Sequence, residues 1–270
     1  MTQYARDGLT FDLHRAGPSG GEPVVLLHGF PQDASCWDGV AARLHEHGYR
    51  TLAPDLRGYS PGARPRGRRA YRMGECVLDV VALLDDQRIE RAHVVGHDWG
   101  SALAWAVAGL HPDRVRSLSA ISVPHPSAFL AAMPRGQALR SWYMLAAQLP
   151  VLPELRLRSR LRADLIGSGL PAPYADRYAD RMREPGAATA ALNWYRALPW
   201  SAPVPPCPVP TTFLWGRRDR FIGRSAALAT GRWVSGPYQF VELDGGHWLP
   251  ETHAELVAEY VRERIGSTVG

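Results

Sequence analysis

Ala92-His93-Val94-Val95-Gly96-His97-Asp98-Trp99-Gly100-Ser101-Ala102-Leu103-Ala104 is the stretch that decides the fold. A short apolar run enters a pentapeptide with glycine at both ends, and a run of small residues leaves it. An apolar run of this length, closed by glycine, is the pattern of a buried strand, and Ser101–His111 continues as a small-residue helix. Such a join is the setting of a nucleophile elbow, a strained strand-turn-helix that lifts one side chain above the sheet. Gly96 and Gly100 let the turned strand and helix approach without Cβ clashes. The apical residue is a carboxylate, Asp98, where a serine hydroxyl is usual. Gly and Asp are also common turn formers, so the pentapeptide owes its weight to its place between strand and helix.

Outward from the elbow, strand-like and helix-like segments alternate. Upstream lie Val24–His28 (strand), Ser35–His45 (helix), Arg50–Pro54 (strand) and Met73–Asp86 (helix), and downstream Val115–Val123 closes this half as a strand. Thr2–Arg6 and Thr10–Arg15 before them suit an opening hairpin or meander. This alternation predicts a parallel sheet with helices on both faces. From Pro124 to about Val209 the rhythm breaks into helical patterns without a convincing strand, rich in Trp, Tyr and Pro. It resumes with Thr211–Gly216 (strand), Ser225–Trp233 (helix), Tyr238–Leu243 (strand) and Thr252–Ile265 (helix). The expected organisation is one α/β core, residues 1–123 and 210–270, interrupted by a helical cap over 124–209. Pro203–Pro210 is then a stiff return to the sheet.

Composition narrows the function classes. With 270 residues, 46% hydrophobic and 21% charged, the chain can bury a large core. The net charge of +5 comes from 31 basic residues, all of them Arg. Six of these lie between Arg57 and Arg72 among Pro and Gly, which reads as a solvated loop. No nucleic-acid reading module accompanies them, so no nucleic-acid partner is expected. No apolar run approaches the roughly 20 residues that span a bilayer, and residues 1–7 lack a signal-peptide core. A cytoplasmic protein with no membrane partner is therefore expected. Cys36, Cys76 and Cys207 are scattered and odd in number, against a disulfide framework or a thiolate metal site.

The remaining chemistry clusters at other predicted strand ends. His247, in Gly245-Gly246-His247-Trp248 after the last strand, is the candidate base among ten histidines. Asp219 follows the Thr211–Gly216 strand, where an acid can orient an imidazole, while Asp244, so near His247, suits loop structure. The chain order Asp98, Asp219, His247 is nucleophile, acid, base. His28-Gly29-Phe30-Pro31 closes the first buried strand, so the backbone N–H groups of Phe30 and Trp99 could form an oxyanion hole. Gly58-Tyr59-Ser60-Pro61-Gly62 is a decoy: no apolar helix follows it, and Pro61 has no N–H to donate.

These motifs together resemble the epoxide hydrolase branch of the α/β-hydrolase family over nearly the whole chain. Trp142-Tyr143-Met144 and Asn193-Trp194-Tyr195-Arg196 resemble the segments that carry that family's two ring-opening tyrosines. The resemblance thus assigns Tyr143 and Tyr195 to an epoxide oxygen, with Trp142 and Trp194 as candidate pocket residues. It implies attack by Asp98 on a small-molecule epoxide, then hydrolysis of the ester by water activated at His247, with neither cofactor nor metal. A haloalkane dehalogenase would use the same nucleophile, with indole N–H groups of Trp99 and of Trp142, Trp194 or Trp200 on the halide. Fluoroacetate dehalogenases usually carry Arg where Trp99 stands. A third reading is a ligand-binding protein of the same fold without activity.

Overall fold

A computed structural model describes residues 2–268. Eight strands form one sheet in the order β1-β2-β4-β3-β5-β6-β7-β8. Their ranges are β1 Thr2–Arg6, β2 Leu9–Ala16, β3 Pro23–Leu27, β4 Arg50–Pro54, β5 Ala92–His97, β6 Val115–Ile121, β7 Thr211–Gly216 and β8 Tyr238–Leu243. The β1–β2 and β2–β4 pairs are antiparallel and all later pairs parallel. The opening pair turns on Asp7-Gly8, both at positive φ (49° and 76°), the conformation of a two-residue hairpin whose twist matches its strands. β5 and β7 are buried along their whole length, as strands covered on both faces must be, which is why they read as unbroken apolar runs. This is the α/β-hydrolase arrangement that the sequence motifs imply.

The helices are α1 Asp38–Glu46, α2 Met73–Asp86, α3 Trp99–Leu110, α4 Pro126–Ala132, α5 Gln137–Arg140, α6 Trp142–Ala146, α7 Leu152–Gly167, α8 Ala172–Arg181, α9 Ala187–Arg196, α10 Arg224–Ala229, α11 Leu249–Thr252 and α12 Ala254–Gly266. α3 is buried from Gly100 to Ala108, and its Gly, Ser and Ala residues bring its axis close to β5 and β6. Between β6 and β7 the chain carries α4 to α9 and no strand among the described residues. α4 packs back against α10 rather than joining the later helices, whereas α7 packs on α8 and α9.

The loop after β4 departs from the expectation of a solvated, Arg-rich stretch. Residues 51–60 are all buried, as are Ala63 and Tyr71. Arg57 forms a two-pronged ion pair with Asp79 on α2 (2.7 and 2.6 Å), with both side chains buried. Its carbonyl accepts the Trp194 indole N–H at 2.7 Å. Arg64 reaches Glu184 (2.7 Å) and the Pro185 carbonyl (3.1 Å), and Arg181 of α8 pairs with Asp55. The loop is thus the clasp that holds α8 and α9 to the core; only Arg66, Arg68, Arg69 and Arg72 face solvent in the expected way. Ser60, the decoy serine, is buried, accepting from the Asp12 N–H and donating to the Asp55 carbonyl.

Candidate active site

Asp98 sits between β5 and α3 at φ 51°, ψ −120°, a conformation that side-chain-bearing residues adopt only where their surroundings impose it. The surroundings leave no room for alternatives. A Cβ at Gly96 would collide with the Gly100 carbonyl, one at Gly100 with the Leu27 carbonyl, and one at Gly29 with Asp98 itself. The turn therefore aims the carboxylate over the carboxyl ends of β3 and β5. The Phe30 N–H donates to Asp98 Oδ1 at 2.7 Å. The Trp99 N–H opens α3, one of the helix's four unpaired donors, and has no partner among the described residues.

His247 and Asp219 complete the group. His247 Nε2 lies 3.5 Å from Asp98 Oδ2, and its Nδ1 lies 2.8 Å from Asp219 Oδ2. The other oxygen of Asp219 accepts the N–H groups of Phe221 (2.7 Å) and Ile222 (3.0 Å). These three contacts fix the plane of the buried carboxyl. Asp244 takes a different part: half exposed, it pairs with Arg217 and Arg218 on the surface. Burial tends to lower the His247 pKa, but Asp219 and Asp98 outweigh it and lift the imidazole to about 10. Burial tends to raise the Asp98 carboxyl, and hydrogen bonding and charge from His247, with the Phe30 N–H, hold it below its ordinary value. Both shifts favour an ion pair between the His247 imidazolium and the Asp98 carboxylate.

The turn carrying His247 is held by its main chain. The His247 carbonyl accepts His97 Nε2–H at 2.9 Å and the Ser122 hydroxyl at 2.7 Å. Burial pushes the His97 imidazole down to about 3, so the ring gives its one N–H to the His247 carbonyl, and its Nδ1 only lies near Gln32 Oε1, at 2.8 Å. Gln32 also accepts the Gly29 N–H and donates to Glu251, whose carboxyl burial lifts to about 7. His97, Ser122 and Gln32 were not singled out by sequence reasoning. They bear no motif of their own; only their adjacency to the elbow, to the end of β6 and to Phe30-Pro31 hints at them.

Above Asp98 stand the two tyrosines, Tyr143 on α6 and Tyr195 on α9. Their rings are edge-on, 6.0 Å apart, and Tyr195 also meets Trp99 (5.0 Å) and Phe30 (5.2 Å) edge-on. Burial pushes both phenols well above their ordinary pKa, so both carry their protons at any working pH. Asp98, Tyr143 and Tyr195 line two cavities, one of about 350 Å³ and one of about 340 Å³. The first runs past Phe129, Leu130, Met133 and Val204; the second past Leu149, Leu157, Leu161, Phe221 and His247. Both are mainly apolar.

Trp142 lies at the rim of the second cavity, 62% exposed. Trp194 lines neither cavity. It is buried behind Trp99, 5.7 Å between ring centroids, with its N–H spent on the Arg57 carbonyl. The expectation of a pocket role for Trp194 is corrected: it faces away because an indole buried this deeply needs an acceptor, and the clasp loop offers one. Phe221, which packs edge-on to His247 at 4.8 Å, takes a place in the second cavity that sequence reasoning did not assign. Among the described residues no group of three or more His, Cys, Asp or Glu is disposed to hold a metal ion.

Residues 22–254 match the family described as alpha/beta hydrolase fold. The chain is 36% identical to the AB hydrolase superfamily protein YfhM of Bacillus subtilis, over 96% of each chain. It is 33% identical to Epoxide hydrolase A of Mycobacterium tuberculosis, over 91% of this chain and 90% of that one. Among solved structures, Epoxide Hydrolase A from Mycobacterium thermoresistibile superposes with a TM-score of 0.81 at 28% identity, covering 97% of this chain and 96% of the other. With a sheet of this order, an aspartate at its elbow and relatives aligned nearly end to end, the chain belongs to the α/β-hydrolase family, in the branch to which those epoxide hydrolases belong.

Proposed function

We propose that this protein is an epoxide hydrolase that converts an apolar epoxide to a vicinal diol through an alkyl ester on Asp98. The observation that carries the proposal is the pairing of a carboxylate at the elbow, 3.5 Å from His247, with two phenols that share both of its cavities. Carboxylate attack on a saturated carbon gives a stable ester, whereas attack on an ester or amide would give a mixed anhydride. In this reading residues 124–209 act as a cap that brings Tyr143 and Tyr195 over the nucleophile.

In the first step Asp98 forms a C–O bond to one epoxide carbon as the ring C–O bond breaks, and a phenol passes its proton to the departing alkoxide. Such general acid assistance contributes about 10²–10⁴-fold. Esterification removes the negative charge of Asp98, one of the two anions that hold the proton on His247. The imidazole therefore becomes a competent base only once the ester exists. It first releases its own proton, which the phenolate left by the first step accepts. It then takes a proton from water, which attacks the ester carbonyl while the N–H groups of Phe30 and Trp99 receive the oxyanion, and collapse breaks the ester C–O bond to free the diol. Because each cavity reaches Asp98 and both tyrosines, the epoxide can carry a substituent on either side.

The dehalogenase reading keeps Trp99 but lacks a second donor, since Trp200 lines neither cavity. The Trp194 N–H is committed to Arg57, and Trp142 is turned mostly to solvent. The test is a single turnover in ¹⁸O-water with enzyme in excess. Label should enter the Asp98 carboxylate while the first diol stays unlabelled; label arriving directly in that diol would show water attacking the epoxide itself.

A further inference from the structure

The rim of the second cavity belongs to a larger apolar face. Leu139, Trp142, Leu145, Leu149, Leu152 and Leu155 are each at least half exposed, Leu139 at 83% and Leu145 at 77%. Leu145 lies one turn beyond Trp142 on α6, Leu139 stands on the preceding α5, and Leu155 lies one turn beyond Leu152 on α7. Trp142, Leu149 and Leu152 also line the second cavity, so the patch adjoins the cavity that reaches Asp98. Isolated exposed leucines are ordinary; a contiguous cluster marks a surface that meets something.

Charge names the partner. Residues 135–160 hold five arginines, at 135, 140, 156, 158 and 160, and one acid, Glu154. Glu154 is spent on the buried Arg196 at 2.6 Å, and only Arg156 of the five has a carboxylate partner among the described residues, Asp164 at 2.9 Å. Leucine and tryptophan set among arginines are the composition of an interfacial surface that lies on anionic lipid. A second copy of the chain fits less well. Two-fold pairing would set the arginines of one copy against those of the other, and it would cover the opening to the site.

We propose that this face docks the protein on an anionic bilayer, its apolar residues in the acyl boundary and its arginines among the lipid headgroups. Apolar substrate then passes from the lipid through the Trp142–Leu152 rim to Asp98. The delivery step rests on the epoxide hydrolase reading, but the docking does not.

The full chain is mixed with vesicles of phosphatidylcholine alone or of phosphatidylcholine and phosphatidylglycerol in equal parts, and sedimented. It should pellet with the mixed vesicles, with affinity falling roughly tenfold or more on phosphatidylcholine alone or in high salt. Leu139→Glu with Leu145→Glu, neither of which lines a cavity, should abolish pelleting and leave hydrolysis of a water-soluble epoxide unchanged. Arg158→Glu with Arg160→Glu should weaken pelleting without changing the circular dichroism. A protein that stays in the supernatant with both vesicles overturns the docking, whatever its activity. So does a dimer in sedimentation velocity that the Leu139→Glu/Leu145→Glu variant dissolves. Pelleting without turnover of any epoxide supports the docking and counts against the hydrolase reading alone.

Discussion

The site is shared by two regions built on different principles. The sheet side, with Asp98, Asp219 and His247 on turns after β5, β7 and β8, is held by hydrogen bonds: each of its three side chains has at least one partner at 2.7–2.8 Å. On the helical side the Tyr143 and Tyr195 rings meet their neighbours edge-on at 5.0–6.0 Å, while hydrogen bonds from Arg196 to the Ala147 and Leu149 carbonyls pin the backbone that carries them. Hydrogen bonds fix atoms in direction as well as distance, while edge-on rings tolerate sliding at little cost. The charge that must be placed within tenths of an ångström thus stands on the rigid side. The proposed proton donors, which would follow oxygens on substrates of different shape, stand on the more adaptable one. The division predicts that damage to the two regions should differ in kind as well as in size.

The largest effect is expected at the nucleophile. Asp98→Asn should lower turnover by about 10⁴-fold or more, and because it imitates the charge of the ester, the His247 pKa should fall from about 10 toward the ordinary imidazole range. Imidazole resonances followed by pH titration report this directly; an unchanged titration would mean that Asp98 does not hold the proton. The same proton has a stability signature. Its folded-state pKa is raised, so its contribution is complete below the unfolded value of about 6.5 and is lost as pH climbs through about 10. In the Asn variant that loss should come at lower pH, as thermal denaturation across the alkaline range would show.

Next comes Asp219, the proposed orienting acid. Asp219→Ala should slow ester hydrolysis by about 10³–10⁴-fold and leave alkylation much less affected, so intact-mass measurement should show the esterified enzyme accumulating. Asp244→Ala removes only exposed pairs with Arg217 and Arg218 and should change either rate by less than about twofold. The reverse outcome would relocate the acid.

On the helical side the loss should fall on the other step. Tyr143→Phe and Tyr195→Phe should each lower the alkylation rate by about tenfold or more, and the double variant by about 10²–10⁴-fold. Ester hydrolysis should be untouched in all three, as stopped-flow Trp fluorescence with Trp99 beside the nucleophile can resolve. A double variant that alkylates at the wild-type rate reduces the tyrosines to packing and erases the distinction between the two regions.

The smallest effect belongs to the clasp between them. Trp194→Phe keeps the ring against Trp99 but leaves the buried Arg57 carbonyl without its donor. Stability should fall by about 1–3 kcal/mol, read as a lower midpoint in denaturant, with both chemical rates within a few-fold of normal.

How much of this lay open in the sequence follows the same division. β4, β7 and β8 match their expected bounds residue for residue, because a strand between chain-breaking residues is written in consecutive positions. Asp219 and His247 could be named from their places just after β7 and β8. The clasp could not: Arg57 finds Asp79 on the next helix and Trp194 from 137 positions away, and nothing local to Arg57 distinguishes it from the exposed Arg68. Trp194 was misjudged for the same reason. Its neighbour Tyr195 was legible by resemblance, but which of two adjacent aromatic residues faces the cavity depends on where the indole finds an acceptor. Gln32 and His97 belong to a network whose members meet only after β3, β5 and α11 have assembled.

One further consequence comes from the grip on the His247 carbonyl. His97 and Ser122 hold the peptide and leave the imidazole alone, so the turn is a socket and the ring a removable part. Trimming the side chain to glycine should leave the socket standing, walled by Asp219, Phe221 and Trp248. A free imidazole of the same size then has a shaped berth with its orienting carboxylate already in place. In this architecture the identity of the base is separable from its position.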